Sequence, residues 1–124
     1  MPANLYGPND NYDLQNSHVL PALLRKFHEA KMSNVLTVTV WGTGKPLRAF
    51  LHVDDLAAAC IHLMETYNDE GFINVGTGED ISIISLANMI SNIVGCTGNI
   101  AFDASMPDGT MQKLLDVTKL SDLG

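Results

Sequence analysis

The block Val40-Trp41-Gly42-Thr43-Gly44-Lys45-Pro46-Leu47-Arg48-Ala49-Phe50-Leu51-His52-Val53-Asp54-Asp55-Leu56 limits the folds open to this chain more than any other stretch. Residues 38–41 read as a short strand, and Gly42, Gly44 and Pro46 as a turn. Residues 49–53 read as a second strand. Asp54 and Asp55 then open a helix, where carboxylates suit the positive end of the macrodipole. Trp41 and Arg48 stand seven residues apart around the turn. That spacing predicts one cleft holding a flat ring and an anion.

The rest of the chain repeats the alternation of short strands and helices. Residues 1–8 read as a strand end opening into a polar loop over 9–17. Ser17 suits an N-cap and Pro21 the first helical turn. Val19, Leu20, Leu23, Leu24, Phe27 and Ala30 keep helical spacing, which predicts a helix over 18–31. In the helix that Asp54 opens, the predicted buried stripe is Leu56, Ala59, Cys60, Leu63, Met64 and Tyr67. Residues 71–75 read as a strand running into Gly76-Thr77-Gly78. Ser82 caps a helix with Ile83, Leu86, Ala87, Ile90, Ile93 and Val94 on its apolar face, and Gly95 ends it. A strand over 100–102, a loop over 107–109 and a closing helix over 118–123 complete an α/β pattern.

A chain of 124 residues is one domain's worth of sequence, and 46% hydrophobic content supplies a core. No apolar run reaches the length of a membrane span, and no leader is expected. Formal net charge is −7. Residues 1–50 hold five basic and three acidic side chains, and residues 51–124 hold two and eleven. The acidic whole argues against nucleic acid, while the basic first half suits a small anion such as a diphosphate. Cys60 and Cys96 lie far apart in sequence, make no Cys-x-x-Cys motif and no disulfide framework, and are expected to be buried thiols. His28, His52 and His62 make no ligand spacing with Cys60 or with one another, so no metal site is expected.

Several blocks together resemble the GDP-L-fucose synthase family of extended short-chain dehydrogenase/reductases. They are Pro2-Ala3-Asn4-Leu5-Tyr6-Gly7-Pro8, Asn16-Ser17-His18-Val19-Leu20-Pro21-Ala22-Leu23-Leu24, the Trp41 to Asp55 block, Ile73-Asn74-Val75-Gly76-Thr77-Gly78, and Phe102-Asp103 through Pro107-Asp108-Gly109-Thr110. The likeness runs nearly end to end. It implies an α/β fold made of the C-terminal strands and helices of a Rossmann-type domain plus the small substrate-binding α/β domain. On this resemblance residues 1–124 are the substrate-binding C-terminal portion, and the N-terminal dinucleotide-binding part is absent. Tyr6, Tyr12 and Tyr67 are followed four places on by Asp10, Asn16 and Gly71, so no Tyr-x-x-x-Lys pair occurs. Gly76-x-Gly78 lacks a third glycine and is a weak dinucleotide motif.

The resemblance further implies NADP as cofactor. It implies a GDP-sugar substrate epimerised at C3 and C5 and reduced at C4, a homodimer, and a cytoplasmic location. His18 matches the family's catalytic histidine beside the nicotinamide, and imidazole suits proton exchange near neutrality. Pro2, Ala3, Asn4 and Leu5 match the segment lining the nicotinamide end of NADP. Lys26, Trp41, Arg48 and Asp108 match substrate-binding positions, with Arg48 offering a planar fork to the diphosphate. Ala49 stands where the family carries an acidic residue, and Met111-Gln112 where it carries Pro-Arg. By itself this chain is expected to be catalytically inactive and to self-associate. A sibling nucleotide-sugar epimerase or dehydratase, or a non-catalytic nucleotide-binding module, is the alternative.

Overall fold

The computed structural model describes all 124 residues. In chain order the elements are β1 (Asn4–Tyr6), α1 (Val19–Ser33), β2 (Thr37–Trp41), β3 (Leu47–Arg48), β4 (Phe50–His52), α2 (Val53–Thr66), β5 (Ile81–Ser82), α3 (Ile83–Val94), β6 (Asn99–Asp103), β7 (Gln112–Lys113) and α4 (Thr118–Ser121). They form two compact units, each assembled from separated stretches of chain. The α/β expectation holds, and the principal strand pairs are parallel. No helix is long and apolar enough to cross a membrane.

The first unit comprises residues 1–8, 48–80 and 113–124. Here β1 pairs in parallel with β4, with Asn4 opposite Phe50 and Tyr6 opposite His52. Residues 71–75, expected to be a strand, make only one bridge, from Val75 to Pro2. Val75 gives its N–H to the Met1 carbonyl at 2.8 Å and accepts from Ala3 N–H at 2.9 Å. Gly71 and Gly76 flank this contact, and Phe72 stays 92% exposed, so nothing extends the ladder.

Helix α2 begins one residue earlier than the acidic pair suggested. Its N-cap is His52, whose Nδ1 accepts from Asp54 N–H at 3.1 Å. The ring also packs edge-on against Tyr6, 5.2 Å between centroids, which seats the imidazole beside the strand end. The expected stripe is only partly right. Leu56, Ala59, Leu63 and Tyr67 are half-buried, whereas Cys60 is exposed and Met64 is 85% exposed. Those two lie a step of about 100° round the helix from Ala59 and Leu63, which turns them off the packed side. The expectation of buried thiols fails for Cys60, and Cys96 is half-buried.

The second unit comprises residues 9–47 and 81–112. Here β2 and β6 run parallel, with Thr37 opposite Asn99 and Trp41 opposite Asp103. Val38 and Val40 point inward from β2, and α1 contributes Leu23, Phe27 and Ala30. Ile83, Leu86, Ala87 and Ile90 of α3 complete the core, as their spacing predicted, while Ile93 is 76% exposed. Ser82 caps α3, its Oγ accepting from Ser85 N–H at 3.1 Å. Ser17 does not cap α1. His18 takes that place without a side-chain bond, and Ser17 Oγ is buried with no partner.

Candidate functional site

In the second unit the candidate residues gather around α1 and β2. His18 stands exposed at the N-terminus of α1. Lys26 follows eight residues later, about 12 Å along the axis. Its stem is half-buried and its Nζ reaches the Thr39 carbonyl of β2 at 3.4 Å. The same ammonium sits 4.8 Å from the centroid of the Trp41 ring. Burial lowers the Lys26 pKa from the ordinary lysine value. A cation over an indole face is attracted by the ring quadrupole, and more so when desolvated. Beside this pair a cleft of about 340 Å³ runs along α1 and β2, lined in part by Lys26, Glu29, Thr37 and Thr39. Trp41 itself is 46% exposed, so the indole is not a core residue.

The turn after Trp41 is held from two sides. Gly42 N–H donates to the Asp103 carbonyl at 2.8 Å. Thr43 N–H donates to Asp108 Oδ1 at 2.6 Å, and Thr43 Oγ1 donates to Asp108 Oδ2 at 2.7 Å. Gly42 has φ +89°, and a Cβ there would collide with the Asp108 carboxylate. Gly44 has φ +78°, and a Cβ there would collide with Ile84 and Phe102. The first N–H groups of α3, which have no partner within a helix, use the same turn. Ile84 donates to Gly44 O and Ile83 to Pro46 O, each at 3.0 Å. Asp103 is itself set by Ser105, whose hydroxyl and N–H lower the carboxyl pKa.

The first unit carries the remaining candidates. Pro2, Ala3, Asn4 and Leu5 run into and along β1, between the β4 ladder and Val75. Their strand and β4 end together at Tyr6 and His52, where α2 begins. Arg48 is half-buried at the end of β3. Lys26 and Trp41 are thus brought into contact. Asp108 is brought onto the Trp41 turn, 65 residues away in sequence from Thr43. Sequence reasoning overlooked Thr43 and His52. Thr43 gives no local signal, because its partner lies so far along the chain, and histidine is not among the favoured N-caps.

Known proteins share both the sequence and the shape. The chain is 53% identical over 124 residues to GDP-L-fucose synthase 1 of Arabidopsis thaliana, covering all of this chain and 38% of that protein. It is 56% identical over 133 residues to GDP-L-fucose synthase of Escherichia coli (strain K12), covering all of this chain and 41% of that one. The crystal structure of a GDP-L-fucose synthetase from Naegleria fowleri bound to NADP superposes with a TM-score of 0.93 at 36% identity, over 99% of this chain and 39% of that one. The chain therefore spans about two fifths of the length of these relatives. The model of the NAD dependent epimerase/dehydratase family matches residues 1–76. With more than half its length so matched, the chain belongs to the NAD dependent epimerase/dehydratase family.

Proposed function

We propose that this chain is the substrate-binding part of an NADPH-dependent enzyme that epimerises GDP-4-keto-6-deoxy-D-mannose at C3 and C5 and reduces C4 to give GDP-L-fucose. The observation that carries the reading is the Lys26–Trp41 pair beside the α1–β2 cleft. It occurs in a chain more than half identical to enzymes of that name. A half-desolvated ammonium on an indole offers a flat wall and a positive charge together, which suits a nucleoside diphosphate. Arg48, in the first unit, is proposed separately as a guanidinium fork for phosphate oxygens. NADP fits the first unit, because ligands of open α/β sheets sit beyond the carboxyl ends of parallel strands, where Pro2 to Leu5 lead. When bound, that cofactor supplies the hydride for C4.

The 4-keto group acidifies the neighbouring C–H bonds, so inversion needs an acid and a base on opposite faces. His18, exposed at the start of α1 with no capping bond to hold its ring, is assigned one of those roles. Activity is tested by supplying the 4-keto sugar nucleotide and NADPH to the enzyme in its complete length. NADPH consumption with inversion at both carbons is expected. Reduction at C4 with C3 and C5 unchanged would replace this reading with that of a simple 4-keto reductase.

In the same enzyme, His18→Ala should slow solvent deuterium entry at one epimerised carbon by about a hundredfold or more, the usual range for a lost acid–base group. NADPH affinity should be little changed. Normal deuterium content at both carbons would remove His18 from the chemistry.

A further inference from the structure

We propose that Thr43 is a positioning residue of the sugar-nucleotide site, holding through Asp108 the turn that presents the Trp41 ring. The inference rests on the function proposed above. Both oxygens of the Asp108 carboxylate accept from Thr43, one from the N–H at 2.6 Å and one from the hydroxyl at 2.7 Å. The hydroxyl also accepts from Lys45 N–H at 3.3 Å. One side chain therefore joins the two halves of the turn and ties it to the 103–108 loop. A paired contact of this kind fixes orientation as well as distance, because rotation of the carboxylate breaks one bond or the other.

The backbone is shaped around this contact. Gly42, between Trp41 and Thr43, adopts a conformation that L side chains rarely take, and a methyl there would strike Asp108. Behind Trp41 the strand is fixed by its ladder to β6, and the Trp41 ring has the Lys26 ammonium over it. Ahead of Trp41, the nearest side-chain anchor is the Thr43–Asp108 contact. Asp108 was expected to touch substrate, and its carboxylate also closes onto the turn through Thr43.

Trp41 is the chain's only tryptophan, so its fluorescence reports this turn directly. Acrylamide quenching and GDP titration of the 124-residue chain are compared for the native protein, Thr43→Ala, Thr43→Val and Thr43→Ser. Thr43→Ala is expected to raise the quenching constant about twofold and weaken GDP binding about tenfold, the scale of a lost bond to a charged group. Thr43→Ser should restore both. Thr43→Val keeps the shape and the N–H bond but loses the hydroxyl, and should resemble Thr43→Ala in quenching while its melting temperature stays near native. Native quenching and GDP affinity in both Thr43→Ala and Thr43→Val would overturn the proposal. So would failure of serine to restore them. A native chain blind to GDP would refute the nucleotide reading, while the quenching comparison would still decide whether Thr43 sets the turn.

Discussion

Replacing Phe27 with alanine is expected to destabilise the second unit by about 3–5 kcal/mol, the range for emptying a buried aromatic site. Phe27 is fully buried, at 0% exposure, on the side of α1 that carries Leu23 and Ala30. This helix packs on both α3 and β2. Each of those elements rests on α1 through its own inward residues, Ile83, Leu86, Ala87 and Ile90 from one and Val38 and Val40 from the other. A void at the centre removes contacts from all three, and a helix–strand framework relaxes into it only in part. Small domains hold together by about 5–15 kcal/mol in all, so the variant should be near its folding limit. Urea unfolding followed by Trp41 fluorescence measures the effect. A loss below about 1 kcal/mol would show that the Phe27 site collapses freely, contrary to a close-packed core.

Arg48→Ala, made in the enzyme at its complete length, should weaken GDP-sugar binding at least about tenfold, or roughly 1.4 kcal/mol. A guanidinium makes paired, charge-assisted bonds to phosphate oxygens. Losing one side of such a contact costs roughly 2–5 kcal/mol when it is desolvated and less at a wet rim. Half-buried Arg48 lies between these limits. Arg48→Lys should recover only part of the affinity, since an ammonium cannot reproduce the fork. The competing role is structural. An unchanged melting temperature with lost GDP-sugar affinity supports the phosphate role. A large fall in melting temperature, with affinity kept in the folded fraction, would assign Arg48 to the fold.

Helices α1 and α3 were legible in the sequence because their information is local. Apolar spacing, a serine cap at Ser82 and a terminating Gly95 all fall within one or two turns of the structure they specify. The β2 and β6 strands were legible for the same reason. What could not be read depends on partners distant in the chain. Whether residues 71–75 make a strand is decided by Met1 and Ala3, which supply only one bridge. Whether Cys60 and Met64 are buried is decided by what α2 packs against, since its apolar arc, from Leu63 and Leu56 through Cys60 and Met64 to Ile61, is wider than one packed face. A helix of that kind gives no single stripe to choose. The candidate site shows the same division. Family motifs pointed to Lys26 and Trp41 separately, while their contact follows from α1 lying against β2. The tie from Thr43 to Asp108 is a tertiary event with no periodic trace.

The two units are interleaved along the chain, and this has a consequence for how the protein is made. The first unit needs residues 113–124, and the second needs residues up to 112. Neither unit is whole until residue 112 or residue 124 has been added, so the two become complete within about twelve residues of each other. The usual order, in which an early domain folds before a later one is translated, is closed to this chain. Its parallel ladders add to the delay, for Asn4 must wait for Phe50, and Thr37 for Asn99. Pairings so far apart require costly loop closure before any contact rewards it. Both units therefore become able to fold at nearly the same point in synthesis, once residues 112 and 124 are in place.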